Sequence, residues 1–146
     1  MPSTPYESAT LLIRLYELRR EETMREARNW FAREFNPNSI EDVMAALMGQ
    51  NSGHFRMVTS YWDMVASFVL NGAIDEQMFN DANGEHVAVF AKIHPFLAEY
   101  RERMQLPSYL KNLETLVMRL PNASERLMAT RDRLKKLAAM RAAART

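Results

Sequence analysis

Apolar residues recur along the chain at spacings of three and four, the signature of helices with one buried face, and alternation of the strand type is nearly absent. The first such run starts with Thr4 as a cap, Pro5 in the first helical position and Glu7 three residues after the cap. No Gly or Pro follows until Pro37, so one long first helix is predicted from Pro5 to Phe35. It would span about 45 Å, more than a compact domain of this size is wide. Its stripe has two parts, Leu11, Leu12, Leu15 and Leu18, then Met24, Ala27, Trp30, Phe31 and Phe35, separated by the polar run Arg19–Thr23. One half can pack on the domain, so the leucine half is expected to need a further partner. Leu11, Leu12, Leu15 and Leu18 are therefore the interface candidates.

Asn36-Pro37-Asn38 ends that helix, and Ser39 with Asp42 starts a short second one through Met48. The third run, about 54–71, is apolar around most of its circumference: Phe55, Val58, Tyr61, Trp62, Val65, Phe68 and Val69 leave only a thin polar stripe of Arg56, Ser60, Asp63, Ser67 and Asn71. Such a helix is buried, so this one is read as the central helix, with Met57 and Met64 in the core. Gly72 supplies its left-handed stop. A short helix capped by Asp75 follows, ending at Asn83-Gly84. In the next, about 85–105, Pro95 lacks an N–H and must kink or break the helix. Pro107 opens a sixth, with Leu110, Leu113, Leu116, Val117 and Leu120 inward, and Asn122 with Glu125 is read as the capping pair of the last, about 123–144. The expected fold is a single-domain, all-α, irregular bundle of about seven helices over residues 1–146.

Composition narrows the chemistry. The 146 residues include no cysteine, which excludes disulfides and thiolate sites, and only four glycines, placed so that no phosphate-binding glycine motif can be written. The histidines, His54, His86 and His94, form no HExxH or ExxH pair. His86 and His94 are weak ligand candidates, and a solvated helix end explains their acidic neighbours equally well. Arg56 and Asp63, with Arg101 approaching from the proline-containing helix, are read first as a buried polar cluster that fixes helix register, and second as a small-ligand site. No catalytic motif, metal site or cofactor is expected.

The net charge of +1 conceals an asymmetry: residues 123–146 hold seven basic residues against two acidic, leaving twelve basic and sixteen acidic residues in the remainder. A basic helical tail can bind nucleic acid or an anionic surface, but its arginines and lysines scatter around the helix, so nucleic acid is the weaker expectation. No window is long and apolar enough to span a membrane, and a cytoplasmic location is expected by default.

The polar run Arg19-Arg20-Glu21-Glu22-Thr23, the aromatic Tyr61-Trp62-Asp63 helix leading to Gly72-Ala73-Ile74-Asp75, then Pro95 and Arg101, is similar to an uncharacterised bacterial all-helical family over about residues 10–105. The resemblance implies a fold and no reaction; members often follow a membrane helix, which is not found here. The functional expectation is a non-catalytic interaction module that self-associates as a dimer. The alternatives are an anion-surface or nucleic-acid binder through the basic tail, and a small-ligand site near Arg56 and Asp63.

Overall fold

The computed structural model describes residues 2–145. Nine α-helices are present among them: α1 Pro5–Arg20, α2 Glu22–Arg33, α3 Ile40–Met48, α4 Ser52–Leu70, α5 Glu76–Ala82, α6 Glu85–Ile93, α7 Leu97–Met104, α8 Lys111–Met118 and α9 Ala123–Ala144. The described residues form no strand, and the predicted all-helical class stands.

Several helix starts follow their local chemistry. Thr4 and Glu7 close a reciprocal capping box on α1, Ser39 accepts the Asp42 N–H at 3.2 Å to open α3, and Asp75 accepts the Met78 N–H at 2.9 Å to open α5. Each supplies an acceptor to a backbone donor that a helix start leaves unpaired. Gly72 takes its positive φ of 80° after α4.

The single long first helix is a correction. The chain turns at Glu21, whose extended backbone (ψ 141°) ends α1 while its carboxylate accepts from Thr23 and Met24 N–H at 3.0 Å each, capping α2. Arg28 secures the corner from the other side, donating to the Arg19 carbonyl at 3.1 Å and forming a 2.8 Å ion pair with Glu85. The polar run is therefore a hinge-shaped cap. Both halves of the predicted stripe reach one core.

Pro95 breaks its helix. A 3-10 turn, His94–Phe96, separates α6 from α7. Pro107 does not open a helix; α8 begins only at Lys111, after a turn flanked by two left-handed residues, Gln105 and Leu110, each with φ 55°. Asn122 is also left-handed and makes no side-chain cap for α9.

The predicted central helix is central. Phe55, Val58, Thr59, Tyr61, Trp62, Val65, Ala66 and Val69 of α4 are all buried, and α2, α3 and α8 pack against it. Phe79 and Phe90 are among the other large buried side chains, and α9 lies across α6. Burying each of these large side chains contributes about 1.5–3 kcal/mol. Met64, expected inside, is exposed; Met57 is half-buried.

Candidate functional site

The polar stripe of α4 is not buried. Gly53, Arg56, Ser60 and Asp63 recur every three to four residues, hence on one side of the helix, and that side forms the floor of a cleft of about 910 Å³ open to solvent. Leu47 at the end of α3, Tyr100 and Met104 of α7, and the turn that carries Tyr109 and Leu110 form its walls. The lining is mainly apolar.

Arg56 is exposed on this floor, and its Nε donates to the Ser52 hydroxyl at 3.3 Å. It does not pair with Asp63. Asp63 instead reaches α8, where Oδ1 accepts the Leu113 N–H at 3.0 Å and Oδ2 accepts from the Asn112 amide at 3.3 Å. Leu110, the residue preceding α8, offers no side-chain acceptor. A carboxylate from α4 thus supplies the cap that α8 lacks in its own sequence. The expected buried Arg56–Asp63 cluster is corrected accordingly: one member is solvated, and the other is spent on a helix start.

Arg101 fixes the wall. Its Nε and Nη2 donate to the Tyr109 carbonyl at 2.9 and 2.7 Å, and Nη2 also pairs with Glu114 at 3.1 Å. This fork holds the turn against α7 while Leu110, left-handed and buried, anchors its far end. Non-glycine residues in that conformation carry backbone strain of about 1–2 kcal/mol and persist only where their surroundings hold them.

Between fork and floor the Tyr100 and Tyr109 rings lie 4.5 Å apart at 32°. The Tyr109 hydroxyl is buried. The Thr59 and Tyr100 hydroxyls lie beside it, and Thr59, which donates its own proton to the Phe55 carbonyl at 2.9 Å, keeps its oxygen free to accept. Burial pushes the phenol well above the ordinary tyrosine range, so it is a neutral donor at any physiological pH. Nothing in the spacing of Tyr100 and Tyr109 separates them from ordinary core aromatics, and sequence reasoning missed both.

The other candidates lie elsewhere. His86, in the first turn of α6, is fully buried between Phe79 and Trp62, with ring centroids at 4.8 and 5.9 Å, and neither nitrogen has a partner. Burial pushes its pKa down to about 4. His94 follows the end of α6 and lies against Phe90 at 5.2 Å. Neither lines the cleft, and no group of His, Asp or Glu among the described residues is placed to hold a metal ion. Of the interface candidates, Leu15 is buried in this chain's own core, Leu11 and Leu12 pack partly against it, and Leu18 is 53% exposed. The split of the first helix is the reason, since it lets the leucine face fold back. Sequence reasoning also missed Lys92, buried on α6, whose ammonium contacts the Phe31, Ala32 and Phe35 carbonyls at 2.7, 3.1 and 2.7 Å and thereby caps the end of α2.

No helix among the described residues is long and apolar enough to cross a membrane. No curated protein and no solved structure matches the chain. Residues 6–120, which contain the whole cleft, match the family described as a domain of unknown function, DUF4760, and the chain belongs to that family.

Proposed function

We propose that this chain is a non-catalytic helical binding domain whose cleft takes a small amphipathic anion, an acyl or aryl body carrying a carboxylate. The observation that carries this reading is the convergence, in one open cleft of about 910 Å³, of an apolar lining and the unpaired cation Arg56. Ligand sites combine such a lining with a few placed polar groups. The apolar body would lie over Met57, Met104 and Leu106, and the carboxylate would meet Arg56. Acid–base work has little to stand on there, because the one carboxylate of the lining, Asp63, has both oxygens engaged and no imidazole joins it. Calorimetric titration with decanoate tests the reading. Saturable binding that Arg56→Gln weakens at least tenfold supports it, and binding that is absent, or indifferent to Arg56→Gln, overturns it.

A second reading, self-association, rests on a separate observation. The outer side of α1 carries Tyr6, Ile13 and Tyr16, which are 82%, 60% and 55% exposed, a stripe opposite the leucines first considered. The proposed partner is a second copy of the chain. Light scattering coupled to size exclusion should give a dimer that Ile13→Asp converts to a monomer; a wild-type monomer at tens of micromolar refutes it.

A further inference from the structure

The first half of α9 is seated by Ala123, Leu127 and Thr130, all buried. Farther along, it crosses the end of α6 and the turn that follows α2, and encloses a second pocket of about 210 Å³. Asn36, Asn38, Lys92, Arg131 and Lys135 supply its polar lining, and no carboxylate does. Asp42, which accepts the Asn38 backbone N–H, stays outside that lining.

Part of this positive charge answers helix ends. Lys92 caps α2, and Arg131 Nη1 donates to the Ala91 and Lys92 carbonyls at 3.2 and 3.3 Å, closing α6. Each helix end offers only about half a negative charge. Arg141, six residues beyond Lys135, adds its charge to the cluster and pulls the Lys92 pKa down, after burial, to about 8. The Lys135 and Arg141 side chains make no hydrogen bond or ion pair among the described residues, and Arg131 keeps Nε and Nη2 free of protein acceptors. Four cations therefore gather where two half-charges oppose them.

We propose that this pocket is an anion site for a phosphate-sized oxyanion, held by Arg131 and Lys135 with the Asn38 amide, beside the charge of Arg141. The free fork of Arg131 matches two oxygens of such a group, Lys135 and Arg141 supply the remaining charge, and the volume admits a phosphate head. The oxyanion source is either a soluble phosphate or a lipid headgroup.

Thermal unfolding of the full chain against inorganic phosphate, at ionic strength fixed with chloride, tests the site. Wild type should show a saturable rise in Tm of about 4–5 °C at tenfold excess over Kd. The double variant Lys135→Gln, Arg141→Gln should show none, and without phosphate its Tm should equal or exceed that of wild type, because like charges have been removed. A wild-type shift no larger than in chloride, an equal shift in the variant, or a variant markedly less stable without phosphate each overturns the proposal. Co-sedimentation with phosphatidylcholine vesicles containing phosphatidic acid separates the sources. Vesicle binding lost in the double variant identifies a headgroup, whereas a phosphate shift without vesicle binding identifies a soluble ligand.

Discussion

Acidification should unfold this protein partly through one imidazole. His86 is buried against Phe79 and Trp62 with neither nitrogen partnered, and its pKa falls to about 4 from an ordinary 6.5. The folded state resists protonation that the unfolded chain accepts, so between these values the unfolded state binds more protons and stability falls as pH drops. The contribution is complete above pH 6.5 and is lost progressively toward pH 4. From pH 7 to 4.5 the loss is about 2.5 kcal/mol, worked from 1.36 kcal/mol per unit with partial protonation at both ends. With a urea m-value of about 1.7 kcal/mol/M, that is a midpoint shift of roughly 1.5 M. His86→Leu nearly conserves volume and removes the titration. Its stability at pH 7 should equal or exceed wild type, and its midpoint should move far less between the two pH values. The carboxylates held below their ordinary range, Glu7, Glu21 and Glu114, titrate in both proteins and cancel in the difference. Parallel losses in wild type and His86→Leu, followed by circular dichroism in urea, would refute the reasoning.

Other substitutions probe the architecture around the cleft. Asp63→Ala should destabilise by about 1 kcal/mol through loss of the α8 cap, lowering Tm by roughly 2–4 °C; an unchanged Tm would mean that the 3.0 Å bond to Leu113 contributes nothing. Lys92→Met should cost about 3 kcal/mol in urea unfolding, because the Phe31, Ala32 and Phe35 carbonyls lose the ammonium that caps them; a cost below about 1 kcal/mol would mean that water reaches them. Gln105→Gly, at an exposed position with φ 55°, should raise stability by about 1 kcal/mol by relieving the left-handed penalty, with scanning calorimetry as the check.

The sequence discloses what local chemistry decides. Thr4, Ser39 and Asp75 announce their helix starts because the cap and the helix lie within four residues, and the apolar circumference of α4 declares its burial. What stayed hidden depends on groups distant along the chain. Glu21 is a poor cap by residue type, and the break beside it is held by Arg28 from α2 and Glu85 from α6. The start of α8 is capped from α4 by Asp63, and the end of α2 from α6 by Lys92. A polar residue on a buried helix therefore reads as an interior ion pair until the surrounding elements are in place. For Arg56 that reading fails because the turn after α7 stands off α4 and leaves a cleft.

The two proposed sites differ in how they stand to the family. The cleft is built by residues 47–110 and lies entirely within the matched segment 6–120. The basic pocket depends on α9, which begins at Ala123, beyond that segment. The cleft walls are fixed by Arg101, Asp63 and the strained turn, whose hydrogen bonds run to Tyr109, Asn112, Leu113 and Glu114 and not to α9. Lys135 and Arg141 bond to no wall group in return. Sites with no shared partners behave additively. Decanoate affinity should therefore be the same in wild type and in the Lys135→Gln, Arg141→Gln variant, and phosphate stabilisation should be the same in wild type and in Arg56→Gln. A change in either cross-measurement beyond about twofold, or 0.4 kcal/mol, would mean that α6 and α4 transmit the charge state of one pocket to the other, and the picture of a family cleft with an independent basic extension would fail.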